Sequence, residues 1–136
     1  MNMESDQYLL IVDDQLAICD LLGEIFVAEG YRVQTALNSE QAIRAIRACT
    51  PGLIFMDINM PGKNGLETLK EVQGLISDVP VILITAYGEI EDIMDAGKRG
   101  LIQYYISKPF DIVSLIQLVK RIMLPGSGFK QKAASL

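Results

Sequence analysis

Two unbroken apolar runs, each ending in acid, constrain this chain most. Leu9-Leu10-Ile11-Val12 runs into Asp13-Asp14, and Leu53-Ile54-Phe55-Met56 runs into Asp57. Neither run alternates with polar residues, so neither suits a strand with one wet face. Each is short, apolar and β-branched or aromatic in part, which fits a strand covered on both sides. Three more strand-like runs recur, not all of them so apolar: Arg32 to Ala36, Val81 to Thr85 and Tyr104 to Ile106.

Helical rhythm fills the gaps. Ile18, Leu21, Leu22, Ile25 and Phe26 keep the i, i+3, i+4, i+7 spacing of one helix face. Asn38 with Gln41 resembles a capping box opening a second helix through Ala42, Ile43 and Ile46. Leu66, Leu69, Val72 and Leu75 mark a third. Ile90, Ile93 and Met94 mark a weaker fourth, because Gly88, Gly97 and Gly100 lower its helical stability. Ile112, Leu115, Ile116, Val119, Ile122 and Met123 mark a fifth, with Asp111 as its N-cap. The order is (βα)5, an α/β chain with parallel strands and helices on both faces of the sheet. From Pro125 onward periodicity is lost, so residues 125–136 read as a loose tail or a clipped linker.

In an open parallel sheet, ligands bind beyond the C-terminal strand ends. Asp13, Asp14 and Asp57 all stand at such ends, so three carboxylates meet at one edge. Like charges so placed need a cation or a proton. Hard oxygen ligands with open positions suit Mg2+, or Mn2+, which binds through one or two carboxylates plus a phosphate. One carboxylate could then attack phosphorus and form an acyl phosphate. Thr85 ends the fourth strand and Lys108 the fifth. A hydroxyl and an ammonium there suit a phosphoryl group. Taken singly, each has an ordinary explanation: Asp14 as a helix N-cap, Thr85 as a β-former, Lys108 as a solvated charge. Convergence of the three acids weakens those explanations. Met60-Pro61-Gly62-Lys63-Asn64-Gly65 is rich in turn formers, and Asn59 is the nearest candidate to bring a backbone carbonyl to a metal.

Composition removes several alternatives. The length of 136 residues suits one domain. A net charge of -5 without a basic block argues against a nucleic-acid binder. No apolar stretch approaches the roughly 20 residues of a membrane span, and the polar N-terminus is unlike a signal peptide, so a cytoplasmic protein is expected. Cys19 and Cys49 have no metal-like spacing and read as reduced, partly buried thiols. The chain has no histidine, so neither a Ser-His-Asp triad nor a His-ligated metal can form. Any phosphohistidine must come from a partner.

Together these residues resemble the receiver domain of two-component response regulators, over residues 7–124. The motifs are Asp13-Asp14, Met56-Asp57-Ile58-Asn59-Met60-Pro61-Gly62, Thr85-Ala86 and Lys108-Pro109-Phe110. The resemblance implies a flavodoxin-like fold with strand order 2-1-3-4-5. It implies that Asp57 accepts a phosphoryl group from a histidine of a sensor kinase or phosphotransfer protein. It also implies that Asp14, Asp57 and the Asn59 carbonyl hold Mg2+, with Asp13 reaching it through water. Thr85 and Lys108 match the family's hydroxyl and lysine. Segments such as Ile11-Val12-Asp13-Asp14-Gln15 and Thr85-Ala86-Tyr87-Gly88-Glu89 are similar to the single-domain regulators of the sporulation phosphorelay type, which pass phosphate onward. The chain would then catalyse its own phosphorylation and act as a monomer or weak dimer.

One spacing departs from the family. The glycine expected seven residues before the strand-5 lysine is Gly100, eight before Lys108. Counting from Lys108 makes Tyr105 the switch aromatic, and counting from Gly100 makes it Tyr104. Tyr105 is the expectation, with a bulge near the start of strand 5 reconciling the counts. Gln15, Ile18, Leu21 and Pro109 are the expected docking residues, with Ile18 or Leu21 facing outward. Tyr87 is expected to shield the acyl phosphate from water. The competing readings are a receiver cut from a longer DNA-binding or enzymatic regulator, a structural binding module, and a dehalogenase-type phosphatase. The last requires an Asp-x-Asp pair that Asp13-Asp14-Gln15 and Asp57-Ile58-Asn59 both lack.

Overall fold

The apolar runs form strands because burying them on both faces removes the most surface from water. In the computed structural model, which describes residues 8–60, 65–86, 104–123 and 134–135, β1 (Tyr8–Val12) and β3 (Leu53–Asp57) are buried at every position. With β2 (Arg32–Ala36), β4 (Val81–Ala86) and β5 (Tyr104–Lys108) they pair in parallel in the order β2-β1-β3-β4-β5. The more polar β2 lies at one edge and is mostly exposed. At the other edge is an addition to the five expected strands. Two residues near the end of the chain, Ala134–Ser135, form β6 beside Tyr104 and Tyr105. They pair with backbone groups that an edge strand leaves open.

Four helices are present among the described residues: α1 (Leu16–Ala28), α2 (Ser39–Ala48), α3 (Gly65–Leu75) and α4 (Ile112–Met123). The helical pattern at Ile90, Ile93 and Met94 lies outside the described residues, as does Tyr87. Residues of α1 and α4 pack with Leu9, Ile11, Phe55 and Ile84 on one face of the sheet. Residues of α2 and α3 pack with Leu10, Val12, Met56 and Leu83 on the other. Alternate positions along each strand therefore serve separate cores, as a two-residue side-chain period requires. None of the described helices is long and apolar enough to cross a membrane.

The helix ends follow local chemistry. Asn38 Oδ1 accepts from the Gln41 amide at 2.8 Å. The reciprocal bond of the expected capping box lands one residue early, from the Leu37 amide to Gln41 Oε1 at 2.9 Å. Asp111 caps α4 as expected, its carboxylate accepting from the Val113 amide and from Ser114 Oγ. At the C-terminus of α1, Gly30 takes φ +100°, a region costly to any residue with a Cβ. There the Gly30 amide donates to the Val27 carbonyl and the Tyr31 amide to the Phe26 carbonyl, a Schellman pair that turns the chain into β2. The rings of Phe26 and Tyr31 meet edge to face across it.

Candidate functional site

Strand register builds the site. Val12 pairs with Met56, so the next residues, Asp13 and Asp57, leave the sheet in the same row. Asp57 in turn pairs with Ile84, which sets Thr85 one residue beyond that row, and Ala86 pairs with Lys108. Asp13, Asp14 and Asp57 each bring one carboxylate oxygen to within 4.8 Å of the others. Asp13 and Asp57 are buried, while Asp14 is exposed. Asp14 does not cap α1, because Gln15 occupies that position and its side chain makes no cap bond.

Asp13 is held tightly. Its amide donates to the Ala36 carbonyl at 3.0 Å, and its Oδ1 accepts from the Gln15 amide at 2.8 Å. Its Oδ2 is buried without a hydrogen-bond partner. Burial pushes the Asp13 carboxyl above its usual range, against the pull of the Gln15 amide, and the Asp57 charge adds to the rise. A buried anion with one oxygen unmatched and two acids beside it fits a divalent cation, which would satisfy that oxygen and cancel the repulsion.

Asp57 meets partners of two kinds. Oδ1 accepts from the Asn59 amide at 3.1 Å, and Lys108 Nζ lies 3.9 Å from Oδ2. Lys108 is therefore part of the acidic cluster, partly shielded, and joined to Pro109 by a cis peptide bond. Asn59 is exposed at the rim and Thr85 is fully buried. A separate groove of about 640 Å3, lined by Asn38, Ser39, Ile43, Arg44 and Arg47, shares no residue with the acids.

The two tyrosines of β5 fall on opposite faces. Tyr104 is buried with the α1 and α4 core, whereas Tyr105 is half-buried against the α2 and α3 core. Tyr105 pairs with Leu83, two residues before Thr85 on β4, which puts Tyr105 and Thr85 on one face. From Tyr104 to Lys108 the strand pairs row by row with Ile82 to Ala86, so its described residues hold no bulge. Residues 101–103, just before this strand, lie outside the described residues.

Of the expected docking residues, Gln15 and Pro109 are exposed. Leu21 is 47% exposed, whereas Ile18 is half-buried against the α1-side core, so Leu21 is the outward one. Leu16, 58% exposed, and Val113, 59% exposed, in the first turns of α1 and α4, are further outward apolar residues that the helical pattern did not single out. Both helices lie on one face of the sheet, so these turns sit at the edge that carries the acids. An apolar residue off the buried stripe was the available signal. Cys19 is buried as expected, but Cys49 is exposed at the end of α2, where the helix has stopped.

Known proteins resemble this chain in sequence and fold. The model of the response regulator receiver domain matches residues 9–120. Sporulation initiation phosphotransferase F of Bacillus subtilis is 36% identical over 118 residues, covering 87% of this chain and 94% of that protein. Regulatory protein AtoC of Escherichia coli is also 36% identical over 85% of this chain, which spans only 25% of AtoC. Among solved structures, the receiver domain of NtrX from Brucella abortus superposes with a TM-score of 0.78 at 35% identity, covering 85% of this chain and 97% of that one. The response regulator TrrA from Thermotoga maritima, in complex with Mg2+ and BeF, gives 0.75 at 33% identity, covering 85% and 98%. This chain belongs to the response regulator receiver domain family.

Proposed function

We propose that Asp57 is the phosphoacceptor of a phosphorelay. The observation that carries this is a buried carboxylate with a lysine 3.9 Å from one oxygen and two further acids beside it. A carboxylate oxygen of Asp57 attacks the phosphorus of a partner's phosphohistidine. The new O–P bond forms as the P–N bond breaks, and the partner's imidazole leaves as the phosphoryl group transfers. Lys108 offsets charge on the phosphoryl oxygens, and the Thr85 hydroxyl donates to one of them. Asp13, Asp14, Asp57 and the Asn59 carbonyl would hold Mg2+ or Mn2+, which supplies charge neutralisation at the transferring group. TrrA, crystallised with Mg2+ and BeF, supports that assignment by similarity.

Withdrawal of Thr85 toward the acyl phosphate opens space on its face of the sheet for Tyr105, the proposed switch aromatic. Gln15, Leu21, Pro109, Leu16 and Val113 form the surface on which a histidine kinase or phosphotransfer protein docks, with Ile18 beneath it. Onward transfer from Asp57 to a histidine of a second phosphotransfer protein, in the manner of a sporulation relay, rests on the likeness to sporulation initiation phosphotransferase F over 94% of that protein. Cytoplasmic placement accords with two free cysteines.

Incubation with acetyl phosphate and Mg2+, followed by intact mass, tests the chemistry. One added phosphoryl group, absent in Asp57→Asn, is the expected result. No addition, even with a cognate kinase, overturns the reading.

A further inference from the structure

Asp13 is constrained at three of its four hydrogen-bonding groups. Its amide is fixed by the Ala36 carbonyl of β2, and its Oδ1 by the Gln15 amide. Its carbonyl oxygen accepts from the thiol of Cys19, with Sγ 3.4 Å away. Only Oδ2 is left over, buried and without a partner. Two of the three constraints are backbone groups that any sequence with this turn would offer. The third is a side chain. Cys19 lies in the second turn of α1, is 1% exposed, and reaches back beneath the acid pair.

We propose that Cys19 is a positioning residue for the cation site: its thiol anchors the Asp13 carbonyl, and with it the β1–α1 turn, so that the Asp13 carboxylate is set for a divalent ion before the ion arrives. The inference rests on the metal-holding role given to Asp13 above. Preorganisation of this kind raises affinity by removing an ordering cost from the binding step. The thiol is placed to donate, because Cys19 is 1% exposed and its Sγ lies 3.4 Å from the Asp13 carbonyl oxygen. An S–H···O bond is weak, so the contribution is modest. The competing role is packing alone, since Cys19 also contacts the core shared with Leu22 and Phe26.

Three variants separate these roles. Cys19→Ala removes the donor and volume, Cys19→Val removes the donor and fills the space, and Cys19→Ser keeps a hydroxyl donor. Mg2+ affinity is read by isothermal titration calorimetry, beside the Mg2+ dependence of labelling by acetyl phosphate and the urea midpoint of each protein. Positioning predicts that Ala and Val both bind Mg2+ about three- to tenfold more weakly. Both then need correspondingly more Mg2+ for half-maximal labelling, while the rate at saturating Mg2+ stays within about twofold. Ser retains more of the affinity than either. Should Ala fail to fold, the contrast between Val and Ser carries the test. Wild-type affinity in Val, or equal losses in Val and Ser that follow the urea midpoint, assigns Cys19 to packing and overturns the proposal. A wild-type protein that binds no Mg2+ removes the metal reading itself, and the proposal with it.

Discussion

Lys108 Nζ stands 3.9 Å from Asp57 Oδ2, the single cation facing a cluster of three carboxylates among the described residues. The distance is long for a tight ion pair, and it leaves Lys108 able to close on a group added to Asp57. Lys108→Gln removes that charge and keeps most of the side chain. Labelling of Asp57 by acetyl phosphate should slow by roughly tenfold or more, the scale of a lost charge-assisted contact. Mg2+ should bind a few-fold more tightly, because the cluster becomes more negative. Mass-spectrometric time courses and calorimetric titration measure the two effects. Parallel loss of both would show that Lys108 supports the fold of the site instead.

Repulsion among Asp13, Asp14 and Asp57 should show in stability. Asp13 adds a desolvation cost of its own, being buried with one oxygen unmatched. Saturating Mg2+ should therefore raise the melting temperature by several degrees through preferential binding to the folded state. Asp13→Asn, which removes a buried charge, should be more stable than the parent without Mg2+, by about 1–2 kcal/mol, and should respond far less to the ion. Thermal unfolding with and without Mg2+ checks both, and a variant less stable than the parent contradicts the account.

Leu16, Leu21 and Val113 expose apolar surface near the site without a structural reason to do so. Exchange of any one for Ala should leave urea stability within about 0.5 kcal/mol, as for other exposed positions. Acetyl phosphate labelling should also be unchanged. Phosphoryl transfer from a cognate phosphohistidine protein should fall about tenfold or more at the residues that anchor docking. Transfer at the parental rate in all three variants would move docking elsewhere.

Tyr8 links β1 to the end of α2, its hydroxyl donating to the Cys49 carbonyl at 2.7 Å. Burial, and then the nearby Cys49, push it up to about 12 from its ordinary value of 10.0. The folded state thus disfavours the phenolate, so this stability is fully present below about pH 10 and is lost as pH rises toward 12. The loss is on the order of 2–3 kcal/mol. Tyr8→Phe should cost about 1 kcal/mol at neutral pH, from the lost hydrogen bond. Its stability should then fall less steeply than the parent's through the alkaline window. Urea midpoints across that range give the comparison.

Much of the site was legible before the fold. Apolar runs without alternation marked β1, β3 and β4, and the acid that ends each of the first two fell at the sheet edge because parallel strands finish on the same side. Asp111 and Asn38 announced two helix starts, because caps depend on residues within one turn. Local chemistry of this kind acts over a few residues, so it survives in the sequence. Long-range placement does not. Whether Asp14 capped a helix or stood open at the site depended on which residue closed the β1–α1 turn. Ile18 and Leu21 were equivalent in the helical pattern, and only packing against the sheet buried one and exposed the other. The faces of Tyr104 and Tyr105 followed from the register of β5 against β4, set by backbone pairing between strands about 20 residues apart. The thiol of Cys19 beneath Asp13 required both the helix and the strand to be in place. Residue chemistry and short periods were determined by the sequence alone; which oxygen, thiol or ring met which was decided by the sheet that joined them.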